Sequence, residues 1–253
     1  MGNAVRYEIK DRIAWITLNR PEKRNAINLA MRKELQDAFE DVKHNPDVWV
    51  AVLTGAGTVF CAGKDLTEEL PWENRGVLSN TALHHYQMNI FKPFICALNG
   101  GCYAQGVGFA LNSDIIIMSE KANFGWPHVK RGVSSISGPT RGVHVLPWHV
   151  AMKHLMLGRQ LTAAECLRWG IATEVVAHDE LLPAAQRYAA EILESAPLAV
   201  RAIKEVARRG YDLPLPERMQ LAELVVERLD RSEDRREGIQ AFKEKRKPVW
   251  RAR

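Results

Sequence analysis

No run of apolar residues in the 253-residue chain approaches the length of a membrane-spanning helix, and the start, MGNAVRYEIKDR, lacks the apolar centre of a secretion signal. The expectation is a cytoplasmic protein without a membrane partner. Cysteine is scarce: Cys61, Cys96, Cys102 and Cys166 have no CxxC spacing, and three of them sit among apolar or small residues. They read as reduced packing residues, which argues against a disulfide frame or a zinc site. No dinucleotide fingerprint, metal-ligand cluster or GxSxG elbow occurs, so no metal and no permanently bound cofactor is expected. An excess of one charge is also missing. The 35 basic and 30 acidic residues leave +5, much of it in RSEDRREG and FKEKRKPVWRAR near the C-terminus. Acidic residues interleave throughout, so the pattern is a solvated helix and tail suited to an anionic small ligand, and not a nucleic-acid stripe.

What is present reads as an α/β chain. Short β-rich runs (YEIKD, AWITLNR, WVAVLTG, FICALNG, DIIIMS) precede residue 120, the last three bounded by turn-forming or charged residues as buried strands are. Between them, Met31, Leu35, Phe39 and Val42 recur at helical spacing along Leu29 to Val42. After about Gly138 the strand signal falls to one run, TEVVAH, and helices dominate. Thr162-Ala-Ala-Glu165 is a capping-box pattern, with a stop at Gly170. Further helices are expected over Gly138–Leu146, Asp179–Glu194, Pro197–Arg208, Pro216–Leu229 and Ser232–Lys245. The division is a core over 1–195 and a helical region over 196–253. Leu66 to Ser79, with Pro71 and Gly76 among charges, is the loosest stretch.

Two turns have the composition of an oxyanion site. In VLTGAGTVFCAGKDL a strand ends in Gly-rich sequence that passes through Phe60-Cys61-Ala62-Gly63-Lys64-Asp65, where small residues leave backbone N–H groups uncovered. In LNGGCYAQGVGFALNSD a strand runs through glycines into an apolar helix beginning near Gly106, whose first N–H groups are free and partially positive. Two donors aimed at one carbonyl oxygen stabilise the charge that develops when a thioester becomes an enolate.

These turns, with LNRPEKRNAINLAM, KPFICALNG, SDIIIMSEKANFG, VKRGV, LMLGRQLTAAECLRWGIATEVV, APLAVRAIKE and SEDRREGIQAFKEKRKPVW in order along nearly the whole chain, resemble the crotonase, or enoyl-CoA hydratase/isomerase, family. The resemblance implies a crotonase-like spiral of β-β-α repeats with a helical C-terminal trimerisation region, and a homotrimer or a homohexamer. It implies an acyl-CoA thioester as substrate, with CoA across the face where Arg24, Ala26 and Ile27 meet Ala62, Asp65 and Leu66. The oxyanion donors implied are the N–H groups of Lys64 and Gln105, with Gly106 the alternative if the second turn is aligned one residue later. Phe242 and Lys245 match positions that contact CoA from an adjacent subunit, and Tyr103 and Trp126 are candidates for an acyl pocket.

The chemistry departs from the family's pattern. Its hydratases use two glutamates, and here the first falls on Gly108 and the second, after Phe124-Gly125-Trp126-Pro127, on His128. An imidazole moves protons near neutral pH, so His128 is the catalytic candidate. Relatives with a histidine near the second position add an aspartate that would fall on Ile136 or Ser137 here. The hydroxyl-rich Gly132–Gly138 segment either binds a polar group or, at Ser137, caps a helix. His84 and His85 lie on the expected helix before KPFICALNG, where one of them would face the pocket. The leading reading is an acyl-CoA lyase or isomerase of fatty-acid type with its acid/base group replaced. The alternatives are a β-diketone C–C hydrolase that does not use CoA, and a non-catalytic acyl-CoA binder.

Overall fold

A computed structural model describes residues 4–68 and 77–253; the loose stretch read over Leu66–Ser79 lies partly outside them. In chain order the strands are β1 (Val5–Lys10), β2 (Ile13–Leu18), β3 (Val50–Gly55), β4 (Val59–Cys61) and β5 (Phe94–Leu98). They continue as β6 (Gly101–Tyr103), β7 (Ile115–Ser119), β8 (Asn123–Gly125), β9 (Gln160–Thr162) and β10 (Glu174–Val176). The helices are α1 (Leu29–His44), α2 (Asn80–Met88), α3 (Gln105–Asn112), the single turn α4 (Val143–Val145) and α5 (Trp148–Leu157). After them come α6 (Ala163–Arg168), α7 (Leu181–Leu193), α8 (Pro197–Arg209), α9 (Leu215–Asp230) and α10 (Glu233–Glu244).

The strongly apolar runs form one sheet in the order β1-β2-β3-β5-β7-β10, parallel throughout except for the β1–β2 hairpin. They read as continuous apolar runs because both faces of the sheet are covered. Val50, Val52, Ile95 and Ala97 pack on α7 through Leu181, Ala184, Ala185 and Ala189. Ala51, Leu53, Phe94, Cys96 and Leu98 point the other way, onto Met31, Leu35, Phe39 and Val42 of α1. This is the two-residue period of a strand applied to two cores.

A second sheet, β4-β6-β8-β9, carries the function-bearing turns. β4, β6 and β8 are parallel and β9 is antiparallel to β8. Thus β3-β4-α2 and β5-β6-α3 each place one strand in the large sheet, one in the small sheet and then a helix, which is the expected β-β-α spiral. Each strand of the small sheet has three residues, too few for a period to emerge from the sequence.

The later chain departs from expectation in two places. The continuous helix expected over Gly138–Leu146 is instead a wide helical turn over Gly138–Gly142 followed by α4, and it ends before Pro147. β9 adds a strand beyond TEVVAH, and α5 a helix that the periodicity does not announce. The Thr162 capping box forms as read: Glu165 N–H donates to Thr162 Oγ1 at 3.2 Å and Thr162 N–H to Glu165 Oε2 at 2.9 Å. α8 is pinned to the core by Lys204, whose buried Nζ lies 2.6 Å from Asp114 Oδ2 and donates to the Lys92 carbonyl at 2.9 Å. Arg208 donates from the next turn of α8 to the Asn112 carbonyl at 2.7 Å.

Candidate active site

The first turn is fixed from beneath by Asn25, a buried residue at positive φ (53°). Its amide donates to the carbonyls of Ala56 and Val59 at 2.9 and 2.7 Å and accepts from Arg20 N–H at 2.8 Å, tying segment 20–25 to β4. Ala62 N–H then donates to the Arg24 carbonyl at 3.0 Å. Ile27 N–H donates to Gly63 O at 2.8 Å, and Ile27 O accepts from Asp65 N–H at 3.0 Å. That is a parallel bridge centred on Ile27 and Lys64. In such a bridge the central residue of the doubly bonded strand turns its own amide to the other side. The Lys64 N–H therefore faces away from Ile27, and among the described residues it has no backbone acceptor.

The second turn follows β6. Ala104 takes φ 55°, ψ −112°, a costly conformation for a residue with a Cβ, and α3 starts at once with Gln105. Ala104 N–H donates to the Gly125 carbonyl at 3.2 Å, while Gln105 N–H, at the first helical position, has no backbone acceptor among the described residues. The turns meet because β4 pairs with β6, Cys61 opposite Cys102. Gly63 (φ 100°) is the point of closest approach: a Cβ there would lie 2.6 Å from Ala104 Cβ and 3.6 Å from the Gln105 nitrogen. The sulfur of Cys61 stands between the turns and accepts the Gly63 N–H at 3.4 Å and the Gly106 N–H. Among the described residues the N–H groups of Lys64 and Gln105 are left without a backbone acceptor.

The candidate side chains divide by placement. Arg24 and Lys64 are exposed, and Leu66 is 75% exposed at the rim. Ala26 and Ala62 are half-buried and Ile27 is buried. Ala26 also lends its carbonyl to Arg20 Nη1 at 2.6 Å. The Asp65 carboxylate turns inward, accepting from Thr67 Oγ1 at 2.7 Å and Arg20 Nη1 at 3.0 Å. The Thr67 hydrogen bonds, with help from Arg20, hold it down at about 2. Its structural partners are therefore inside the protein. Tyr103 is half-buried, with its hydroxyl donating to Asn123 Oδ1. Trp126 is a core side chain, 1% exposed, stacked edge-on with Phe124 and donating from Nε1 to Ser137 Oγ at 3.1 Å. Ser137 therefore receives an indole and does not cap; Ser135 Oγ takes the Gly138 N–H at 3.0 Å. Phe242, 86% exposed, and Lys245, at the left-handed end of α10, stand on the outer surface, Phe242 beside a groove of about 490 Å³ also lined by Leu198, Leu229 and Trp250.

His128 lies in a 3-10 turn, Pro127–Arg131, directly after β8. Its Nδ1 is buried without a partner among the described residues, and burial, then the charge of Arg131, moves its pKa down, so the ring is neutral at neutral pH. At the other departure, Gly108, the structure adds a residue that sequence reasoning had only mentioned. The His84 imidazole of α2 occupies the space over Gly108, where a Cβ would come within 2.3 Å of its Cε1. His84 Nε2 is likewise buried and, among the described residues, unpartnered, as are both amide atoms of the Gln105 side chain. A spacing rule could not have found this pair, because 24 residues separate two groups joined by helix packing.

The family model for enoyl-CoA hydratase/isomerase matches residues 8–253. The chain belongs to the enoyl-CoA hydratase/isomerase family. It is 36% identical to an (E)-benzylidenesuccinyl-CoA hydratase of Thauera aromatica, over 98% of each chain. It is 37% identical to a carnitinyl-CoA dehydratase of Proteus mirabilis, over the full length of both, and to a mevalonyl-coenzyme A hydratase of Aspergillus fumigatus, over 94% of this chain and 91% of that one. Among solved structures, an enoyl-CoA hydratase/isomerase from Mycobacterium paratuberculosis superposes with a TM-score of 0.91 at 35% identity, covering 100% of this chain and 99% of that one. The crotonase spiral expected from the sequence is therefore the fold of this member.

Proposed function

We propose that this family member is a lyase or isomerase acting on an acyl-CoA thioester, whose carbonyl oxygen sits between the N–H groups of Lys64 and Gln105. The observation that carries the reading is the alternation at the junction of the turns. Gly63 and Gly106 donate to Cys61 sulfur, and the neighbouring amides on either side remain unpaired. Donors preorganised in this way hold an enolate oxygen without reorganising during the reaction. The relatives' names support a CoA thioester and favour adding or removing water over hydrolysis of a carbon–carbon bond.

Proton transfer falls to an imidazole, with His128 as carrier: it is neutral, half-buried, and has a ring nitrogen awaiting a partner. CoA lies along the Arg24–Ile27 and Ala62–Leu66 segments. The chain assembles as a trimer or a pair of trimers through the C-terminal helices, where Ile203, Leu215, Met219 and Leu224 are each more than half exposed. Phe242 and Lys245 then reach CoA held by a neighbour.

The test is turnover of a panel of enoyl-, hydroxyacyl- and β-ketoacyl-CoA thioesters by the wild type and by His128→Ala. The expected result is activity on at least one enoyl or hydroxyacyl thioester, reduced at least a hundredfold in the variant, as loss of a general acid–base group requires (about 10²–10⁴). Equal rates would remove His128 from the mechanism.

A further inference from the structure

We infer that His84 is a second proton-transfer group of this site, presenting Nε2 to the water that adds at the β carbon of the acyl chain. The inference rests on the thioester reading above but not on the role of His128. Three observations meet at this side chain. First, its ring fills the volume over Gly108, with Cε1, Nδ1 and Nε2 at 2.3, 2.6 and 2.8 Å from where a Cβ would stand. Gly108 is therefore not simply a lost side chain: any residue larger than glycine there would displace the imidazole. Second, Gly108 lies one turn along α3 from Gln105, about 5 Å along the axis from the free N–H. A group over Gly108 is thus at the distance that separates a thioester oxygen from a reagent at its acyl chain.

Third, the ring is polarised in the required sense. It faces the backbone of Gln105 and stands edge-on to Phe109 at 4.4 Å between centroids. Nε2 has no partner among the described residues, and the proton is assigned to Nδ1, on the side of the Gln105 backbone. Nε2 then holds a lone pair, shut away from solvent. A buried acceptor left unpaired is costly, and a ligand that donates to it removes the cost. The burial that keeps the ring neutral also moves its pKa down to about 4.

The step balances with water and substrate alone. Nε2 takes a proton from water as the water oxygen bonds to the β carbon. The electron pair of the double bond moves toward the carbonyl, giving an enolate held by Lys64 and Gln105 N–H. When the enolate collapses, the proton is delivered to the α carbon and the imidazole is neutral again. Water has added across the double bond, and elimination is the reverse.

The experiment uses full-length protein with ¹⁵N-labelled histidine, butyryl-CoA as a non-reacting probe, and a panel of enoyl-CoA thioesters for turnover. Butyryl-CoA should raise the melting temperature and move the His84 Nε2 resonance. His84→Phe keeps the ring volume against Phe109 and should bind butyryl-CoA with the same rise, yet hydrate its best enoyl-CoA at least a hundredfold more slowly. Gly108→Glu alone should lower the melting temperature, whereas Gly108→Glu with His84→Ala should restore it, since the collision is removed. An Nε2 resonance unmoved by bound butyryl-CoA, hydration by His84→Phe within about threefold of wild type, or no hydration by a wild type that binds the probe would each overturn the assignment of His84. If butyryl-CoA does not bind at all, the thioester reading itself falls, and this inference with it.

Discussion

Gly63 and Ala104 come so close that a single methyl group on the glycine would stand 2.6 Å from the alanine Cβ. The contact joins two loops that share no sequence neighbourhood and sets the spacing of the two free amides. Gly63 also has φ 100°, where a side chain is strained. Gly63→Ala should therefore combine a clash with backbone strain, destabilising the protein by about 1–3 kcal/mol. Turnover should fall by more than the melting shift accounts for, because the Lys64 amide moves relative to Gln105. Urea denaturation alongside thioester kinetics reads both effects, and unchanged kcat in a folded variant would contradict the account.

The sulfur of Cys61 has an unusual duty for a thiol, holding two N–H groups at the centre of the site. Burial raises its pKa to about 12, although the Gly63 and Gly106 amides pull the other way. The thiol is thus neutral and closed to reagents at physiological pH. Iodoacetamide should leave Cys61 unmodified in native protein and alkylate it after denaturation, as read by peptide mass. Cys61→Ala should cost about 2 kcal/mol of stability, as a buried large-to-small change leaving two amides unpaired, and should lower kcat more than thioester affinity.

His84 also gives the acid limb of stability a definite direction. Its folded pKa, about 4, lies below its ordinary 6.5, so the unfolded chain binds the proton first as pH falls. Stability held above about 6.5 is then lost as pH drops toward 4, by about 3 kcal/mol at most. Asp65, held down at about 2, adds a loss that begins as pH falls through the ordinary carboxylate value of 3.8 and is complete only below about 2. Between pH 6.5 and 4.5 the melting temperature of His84→Phe should accordingly fall less steeply than that of wild type. Parallel curves would show that His84 titrates normally.

How much of this was legible in the residues follows from length scales. The large sheet was readable because its central strands β3, β5 and β7 are apolar on both faces, and α1 because Met31, Leu35, Phe39 and Val42 mark one side. The capping box at Thr162 is local chemistry and formed as written. The small sheet was not readable, since its three-residue strands have no period, and Ser137, open in the sequence to capping or to binding a polar group, receives the Trp126 indole, a contact that local spacing does not show. His84 over Gly108 belongs to the same class: its meaning lies in the packing of α2 on α3. The glycine was visible as a departure, but what fills its place was not.

The C-terminal helices should depend on one ion pair between a buried lysine and a carboxylate at the surface. Lys204 meets Asp114 at 2.6 Å with 8% of its side chain exposed, and Arg208 stands 3.6 Å from the same carboxylate. Burial pulls the lysine pKa down and Asp114 opposes that shift. Lys204→Ala leaves the carboxylate to Arg208 and the Phe94 N–H, and because Asp114 reaches solvent the cost should be about 1–2 kcal/mol, below that of breaking a fully buried pair. Proteolysis of native protein should then begin in α8–α10. A variant as protease-resistant as wild type would mean that these helices are held by other contacts.

The strongest test of the two amides separates side chain from backbone. Lys64 is exposed, and its proposed contribution is the N–H, which has no backbone acceptor among the described residues. Lys64→Ala should therefore keep kcat within about threefold, since the N–H remains and an exposed side chain contributes little. Replacing the residue at 105 by the corresponding α-hydroxy acid changes the amide to an ester and removes one hydrogen while leaving the helix start in place. That single atom should cost about 10²–10³ in kcat, the usual effect of losing one oxyanion donor. The same exchange at Gly106 removes a donor to Cys61 sulfur and none to substrate, so its effect should appear mainly in stability. If the ester at 106 proved more harmful to kcat than the ester at 105, the donor would be Gly106 and the alignment of the second turn would shift by one residue.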